Sequence, residues 1–86
     1  MQLANMTRGE LIALFKKMAS EIAERDFSHV SEDHKIAELG IDSLAMLELV
    51  GAMERELGVQ IPDEQLVGIQ TVRHLIDIVE RRKRVQ

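Results

Sequence analysis

The chain has 86 residues, of which 45% are hydrophobic and 30% are charged, and its formal net charge is -4 at pH 7. This length allows one small domain with a core just large enough for independent folding, and the hydrophobic content excludes a disordered chain. The absence of cysteine excludes a disulfide framework, a thiolate metal site and a cysteine nucleophile. Any thiol chemistry would therefore need a thiol from outside the protein.

Aromatic residues are nearly absent, so the core must be built from Leu, Ile, Val, Met and Ala. This composition favours helices over strands. The N-terminal segment lacks a basic stretch followed by a long apolar run, and no stretch reaches the length that spans a bilayer. We therefore expect a soluble cytoplasmic protein with no membrane partner.

Charge is distributed unevenly along the chain. Between Asp26 and Glu64 there are ten acidic residues against two basic ones, Lys35 and Arg55, a difference of -8. The C-terminal end has the opposite charge, with Arg81, Arg82, Lys83 and Arg84. The acidic middle favours basic partners and argues against nucleic-acid binding, although each single charge is typical of a solvated surface.

The first predicted helix runs from about Thr7 to Glu24. Thr7 and Glu10 match a capping box. Apolar residues then follow at helical spacing: Leu11, Ile12, Phe15, Met18, Ala19 and Ile22. The next stretch, residues 25–41, has no sustained period and is long for a loop in a small domain. We expect four of its side chains to pack into the core: Phe27, Val30, Ile36 and Leu39.

The second predicted helix runs from Ser43 to about Leu57. Gly40 permits a turn before it, and Asp42 is a preferred N-cap residue. Gly58 is a good C-terminal residue. The apolar residues of this helix cluster on one side: Met46, Leu49, Val50, Met53 and Leu57.

The C-terminal third predicts two more helices. After an extended connection, Asp63 is expected to cap a short helical turn from Glu64 to about Val67. Thr71 then caps a last helix with one apolar face, formed by Val72, Leu75, Ile76 and Val79. Three longer helices and one short helix predict an all-α fold, a small four-helix bundle. Residues 1–86 form one domain, with a core at 7–80 and a basic tail at 81–86.

Ser43 lies in the first turn of the second predicted helix. The unpaired amide groups there and the positive end of the helix dipole favour a bound phosphate. Leu44 points away from the apolar side of this helix and shares the outward face with Glu48, Gly51 and Arg55. A leucine in that position is a candidate docking contact.

The sequence LGIDSL at 39–44, followed by ELV, IPDEQL and TVRHLIDIV, resembles the acyl carrier proteins of fatty acid and polyketide synthesis. The resemblance covers roughly residues 36–79, and its core is the DSL triplet. It implies that Ser43 carries a covalent 4'-phosphopantetheine derived from coenzyme A, whose thiol holds an acyl group as a thioester. Asp42 and Leu44 are assigned to the cofactor site beside it, and Asp42 also to contact with the modifying enzyme.

The resemblance makes the outward face of the second helix a docking surface for partner enzymes. It implies a phosphopantetheinyl transferase (holo-carrier synthase), an acyl-loading enzyme or ligase, and a ketosynthase or acyltransferase. The residues assigned to partner binding are Leu44, Leu47, Glu48, Gly51, Glu54, Ile61 and Ile69. Ala45, Gly51 and Arg55 depart from the pattern of fatty acid carriers, which indicates a specialised pathway.

The methionines and small residues of the chain lead to a hypothesis about the acyl chain. The apolar interior of the bundle, between the second helix, the loop around Leu39 and the segment 61–69, is predicted to shelter it. Methionines and small residues would let this space repack: Met46, Ala52, Met53 and Gly68.

Other functions are weighed against the carrier. A hydrolase with a GDSL motif needs glycine where this chain has Ile41, and its Asp-x-x-His appears here in reverse, as His74 and Asp77. We therefore expect no enzyme activity. His29, His34 and His74 have no ligand spacing, so we expect no metal.

Two alternatives stay open. Peptidyl or aminoacyl carriers share the bundle and the modified serine, although they more often read GG-x-S-L. An unmodified helical adaptor would instead bind a partner through the exposed face of the second helix. In either case a monomer is the default expectation.

Overall fold

The computed structural model describes residues 6–85, and side chains as far as Arg82. The described residues form helices and no strand, which confirms the all-α prediction. The helices are α1 (Arg8–Ala23), a 3-10 helix (Ile36–Leu39), α2 (Ser43–Leu57), α3 (Asp63–Leu66) and α4 (Val72–Val85). The backbone of 81–85 thus continues α4, while the side chains of Lys83 and Arg84 lie outside the described ones.

The boundaries of α1 follow from its caps. The Thr7 hydroxyl accepts a hydrogen bond from the Glu10 N–H at 3.1 Å, and the Glu10 carboxylate accepts one from the Thr7 N–H at 2.9 Å. These reciprocal bonds confirm the capping box. The helix ends at Glu24, which adopts the left-handed conformation and donates its N–H to the Ser20 carbonyl.

Caps also determine α2. Asp42 is the N-cap, and its carboxylate accepts the Ala45 N–H at 2.8 Å. Gly58 ends the helix with φ at 70°. Four of the five residues predicted for the apolar side are buried: Leu49, Val50, Met53 and Leu57. Met46, predicted to be in the core, is only half-buried because it lies at the open end of the helix beside a surface cleft.

The prediction that Asp63 caps α3 is wrong. Asp63 lies inside the first turn, and Pro62 occupies the N-cap without a side-chain hydrogen bond. The fixed φ of proline positions this turn, and the Pro62 carbonyl accepts the Gln65 N–H at 3.0 Å. Thr71 does cap α4, since its hydroxyl accepts the His74 N–H at 3.2 Å.

The long loop before α2 is fixed to the start of α4 by backbone pairing. The Ile36 N–H donates to the Gln70 carbonyl at 2.9 Å, and the Val72 N–H donates to the His34 carbonyl at 3.1 Å. The Arg73 N–H donates to the Glu32 carbonyl at 3.0 Å. The loop carbonyls therefore satisfy amide groups that the first turn of α4 leaves unpaired.

Side chains strengthen the same connection. The Arg8 guanidinium, on α1, hydrogen-bonds Glu32 in the loop and Glu80 on α4, and lies 2.8 Å from the Asp77 carboxylate. Its hydrogen bond to Glu32 is the main cause that raises the pKa of Arg8 above its ordinary value, against an opposing effect of burial. Arg8 thus stays charged and joins α1, the loop and α4.

One hydrophobic core connects the three long helices and the loop. All four loop residues predicted to pack inward are buried: Phe27, Val30, Ile36 and Leu39. The largest fully buried side chains are Leu11, Phe15, Leu49, Met53, Val72, Leu75, Ile76 and Val79. The loop is therefore part of the bundle through its own side chains.

The turn before α2 depends on Gly40 for two reasons. Gly40 has φ at 78°, in the left-handed region that favours glycine. The Arg25 guanidinium donates to the Leu39 carbonyl and lies over the ring of Phe27, 5.8 Å from its centroid. A Cβ at Gly40 would overlap this guanidinium, so a side chain there would strain the backbone and displace Arg25.

Three glycine substitutions separate the backbone strain at Gly40 from the displacement of Arg25. Gly40→Ala should lower the free energy of unfolding by about 2–3 kcal/mol, and Gly58→Ala, with positive φ but open space around it, by about 1 kcal/mol. Gly68→Ala, which has open space and no positive φ, should change it least. Urea unfolding of the three variants measures the order. Equal losses in Gly40→Ala and Gly58→Ala would contradict a contribution from Arg25.

Candidate functional site

Ser43 is the first residue of α2, and its side chain is exposed. Asp42 is exposed beside it, with its carboxylate turned back onto the Ala45 N–H. Ile41 is buried in the core and anchors the chain next to this cap. The turn therefore presents the Ser43 hydroxyl to solvent from a fixed position.

The surroundings of Ser43 do not form a nucleophile and base pair. Among the described residues, Ser43 makes no side-chain hydrogen bond to a group that could take its proton, which a self-activating serine requires. The Nδ1 atom of His34 accepts the Ser31 N–H at 2.9 Å, and that of His74 accepts the Gln70 N–H at 3.2 Å. Each imidazole thus accepts a backbone N–H from a residue three or four positions before it.

Two further kinds of feature are absent from the described residues. Residues 6–82 contain no group of His, Cys, Asp and Glu side chains arranged to hold a metal ion. None of the helices in the described part of the chain combines the length and apolarity needed to cross a bilayer.

A cleft of about 570 Å³ opens beside Ser43. Its walls are the 3-10 helix, the first turns of α2 and the connection from α3 to α4. Apolar side chains form most of the lining: Ile36, Ala37, Ile41, Met46, Leu66, Val67 and Ile69. Lys35, Asp42, Ser43 and Gln70 supply its polar part. The cleft begins at the serine and lies between segments predicted to shelter the acyl chain, but it is open to the surface, whereas the prediction placed the space inside the bundle.

The residues predicted to repack around the acyl chain have a different arrangement. Met46 lines the cleft, whereas Met53 is fully buried in the bundle. Ala52 is half-buried and Gly68 is exposed, and neither lines the cleft. Of the four, only Met46 lies where a group on Ser43 could reach its surface.

Two leucines of α2 are exposed next to Ser43. Leu44 is 66% exposed and Leu47 is 56% exposed. Leu47 thus belongs to the outward side of the helix. Val67, on the far wall of the cleft, is 87% exposed and was missed by the sequence analysis. A four-residue helix has no period from which the outward direction of the next residue could be read.

The other residues assigned to partner binding differ in exposure. Glu48 is exposed, and Gly51 and Ile69 are half-buried. Ile61 is 4% exposed, so its assignment to a docking surface is wrong in this conformation. Its backbone N–H donates to the Glu54 carboxylate at 2.7 Å, which gives half-buried Glu54 a structural role in fixing the connection after α2.

A second cleft, of about 610 Å³, lies against the C-terminal half of α2. Gly51 and Arg55 line it, and a Cβ at Gly51 would lie 3.6 Å from the Arg55 guanidinium. Gly51 and Arg55, two of the three departures noted in the sequence, are thus neighbours, and a Cβ at Gly51 would be in ordinary van der Waals contact with the Arg55 guanidinium. This cleft shares no lining residue with the one at Ser43.

Comparison with known proteins gives a consistent result. The family model described as phosphopantetheine attachment site matches residues 13–79. An acyl carrier protein of Rhodococcus erythropolis is 33% identical over 76 residues, which cover 87% of this chain and 84% of the relative. One of Solidesulfovibrio magneticus is 44% identical over 59 residues, which cover 67% of this chain and 76% of the relative.

The fold has a close counterpart among solved structures. The crystal structure of an acyl carrier protein from Thermotoga maritima matches with a TM-score of 0.86 and 37% identity. The match covers 95% of this chain and 98% of that one. The chain therefore belongs to the family of carrier proteins with a phosphopantetheine attachment site. Its function is that of an acyl carrier protein, with covalent 4'-phosphopantetheine as the cofactor, as the LGIDSL sequence predicted.

Proposed function

We propose that Ser43 is the residue that carries the 4'-phosphopantetheine arm, in a single carrier domain formed by residues 1–86. The supporting observation is an exposed serine hydroxyl, in a DSL triplet, at the first residue of α2 and at the mouth of an apolar cleft. The serine has space around it for a phosphodiester and a transferase can reach it. The chain acts as a monomeric, non-catalytic carrier in the cytoplasm.

The chain's own residues supply position and recognition. When bound, the arm supplies a terminal thiol that holds an acyl group as a thioester. The N-cap of Asp42 and the burial of Ile41 fix the start of α2, so that the attachment point does not move relative to the bundle. The root of the arm would therefore lie at one defined place, between the exposed leucines of α2 and the cleft.

Attachment is tested by intact mass. Incubation of the purified protein with coenzyme A and a broad-specificity phosphopantetheinyl transferase should add the mass of one phosphopantetheine to the wild type. Ser43→Ala should gain nothing. Ser28→Ala, which removes another exposed serine, should be modified like the wild type. A wild type that stays unmodified by several transferases, or a modified Ser43→Ala, would contradict the proposal.

We further propose that partner enzymes dock on the surface around Ser43 formed by Leu44, Leu47 and Glu48, with Gly51 and Ile69 at its edges. Exposed leucines beside the attachment residue can act as apolar anchors, and the acidic charge attracts basic partners. The partners are a phosphopantetheinyl transferase, an acyl-loading enzyme or ligase, and a ketosynthase or acyltransferase. The proposed surface omits Ile61 and Glu54 for the structural reasons given above.

Leu47→Ala tests this surface with the same transferase. We expect kcat/KM for the modification of Leu47→Ala to fall by about 5- to 30-fold, because an exposed apolar anchor is lost. The matched control is Glu21→Ala, which changes an exposed residue of α1 and should leave kcat/KM unaltered. Urea unfolding should show wild-type stability for both variants. A Leu47→Ala protein that is modified as fast as Glu21→Ala would exclude this residue from the surface.

The cleft beside Ser43 is the proposed binding place of the acyl chain. Its apolar side chains can cover part of a hydrocarbon chain, and α3 contributes no buried residue, so this wall can move at low cost. The arm would begin at Ser43 and the chain would follow the lining past Met46 toward Ile69.

Amide chemical shifts of the holo and long-chain acyl forms test this binding place. We expect differences at Met46, Leu66 and Ile69, which line the cleft at Ser43. Gly51 and Gln60 line the second cleft and serve as internal controls that should not change. Identical shifts at Met46, Leu66 and Ile69, or changes confined to the control residues, would contradict it.

A further inference from the structure

One charged residue beside Ser43 has no role in the functions described above. Lys35 lines the same cleft as Ser43 and Asp42. Within the acidic stretch from residue 26 to residue 64 there are two basic residues, and the other, Arg55, lines the second cleft. Of the two basic residues in this acidic stretch, Lys35 is therefore the one that lies at the attachment site.

The backbone of Lys35 is fixed on both sides. Lys35 pairs with Thr71 in an isolated antiparallel bridge, and the next residue, Ile36, donates its N–H to the Gln70 carbonyl at 2.9 Å. The Lys35 carbonyl accepts the Glu38 N–H at 3.0 Å, as the N-cap of the 3-10 helix. Its exposed side chain thus starts from a defined point on the cleft.

The charge of Lys35 is not committed to a protein partner. The ion pairs of the described side chains involve Arg8 and Arg73, with Glu32, Asp33, Asp77 and Glu80 as their acidic partners. None of them includes Lys35. A lysine ammonium has three donors on a flexible stem, which suits it to contact an anion without a rigid geometry.

A cation on this cleft would favour a phosphodiester on Ser43. The phosphodiester would lie next to the Asp42 carboxylate, which already accepts the Ala45 N–H and uses part of the favourable charge at the start of α2. Two neighbouring anions repel each other, and a cation near both lowers that repulsion.

We propose that the ammonium of Lys35 pairs with the phosphodiester of the arm and holds the root of the arm against the cleft. The ligand is a phosphodiester monoanion, and Lys35 acts as a positioning residue for it. This inference rests on the proposed attachment at Ser43.

The first test compares thermal unfolding of apo and holo forms. Wild type, Lys35→Gln, Lys35→Arg and the control Arg55→Gln are modified to completion with excess transferase, and each product is verified by intact mass. The measured quantity is the unfolding midpoint of the holo form minus that of the apo form. At low salt, this difference should be lower in Lys35→Gln than in the wild type by about 1–4 °C. Lys35→Arg should keep the wild-type response, and so should Arg55→Gln. The difference should vanish in about 1 M NaCl, where charges are screened.

The second test needs no variant. In the wild type, the side-chain NMR signal of the Lys35 ammonium should shift between the apo and holo forms. The signal of Lys16, whose ammonium donates to the Ser28 carbonyl at 3.3 Å, should not. The ³¹P resonance of the holo protein should also differ between the wild type and Lys35→Gln.

The possible outcomes separate this inference from the proposed attachment. A wild type that takes up no phosphopantetheine would overturn both. A holo wild type with an unshifted Lys35 signal, and with the same midpoint change and ³¹P resonance as Lys35→Gln, would overturn the lysine contact alone.

Discussion

The position of Ser43 depends on the backbone pairing between the long loop and the start of α4. The carbonyls of Glu32 and His34 accept the first amide groups of α4, and the Ile36 N–H donates to Gln70. The loop has no regular period. This pairing fixes its 3-10 helix, its turn at Gly40 and the wall that it contributes to the cleft. Arg8 adds charged contacts from α1, so α1 and α4 both hold the loop.

Local signals account for what the sequence predicted well. The capping box of α1 and the Asp42 cap each involve residues three apart, so they can be read without knowing the fold. Apolar side chains in a polar loop are stabilised by removal from water, which explains why Phe27 and Val30 pack inward. At α3 two local signals competed, and the fixed φ of Pro62 determined the start of the helix rather than the capping tendency of Asp63.

The remaining errors concern contacts that no short window of sequence shows. The Ile61 side chain packs in the core and its backbone N–H donates to the Glu54 carboxylate, and neither contact is visible in a short window of sequence. The Arg8 network and the bridge of Lys35 to Thr71 join residues far apart in the chain. At the site, Ser43 was singled out by the LGIDSL resemblance more than by physics, since many helices begin with a serine. The structure adds its exposure, the cleft and Lys35.

Attachment at Ser43 is tested most directly by locating the arm within the chain. Trypsin cleaves after Lys35 and Arg55, and Ser43 is the only hydroxyl-bearing residue in the fragment 36–55. Tandem mass spectrometry of digested holo protein should find one phosphopantetheine on this fragment, with Ser20, Ser28 and Ser31 unmodified. An arm on any other fragment would contradict both the attachment site and the role given to the start of α2.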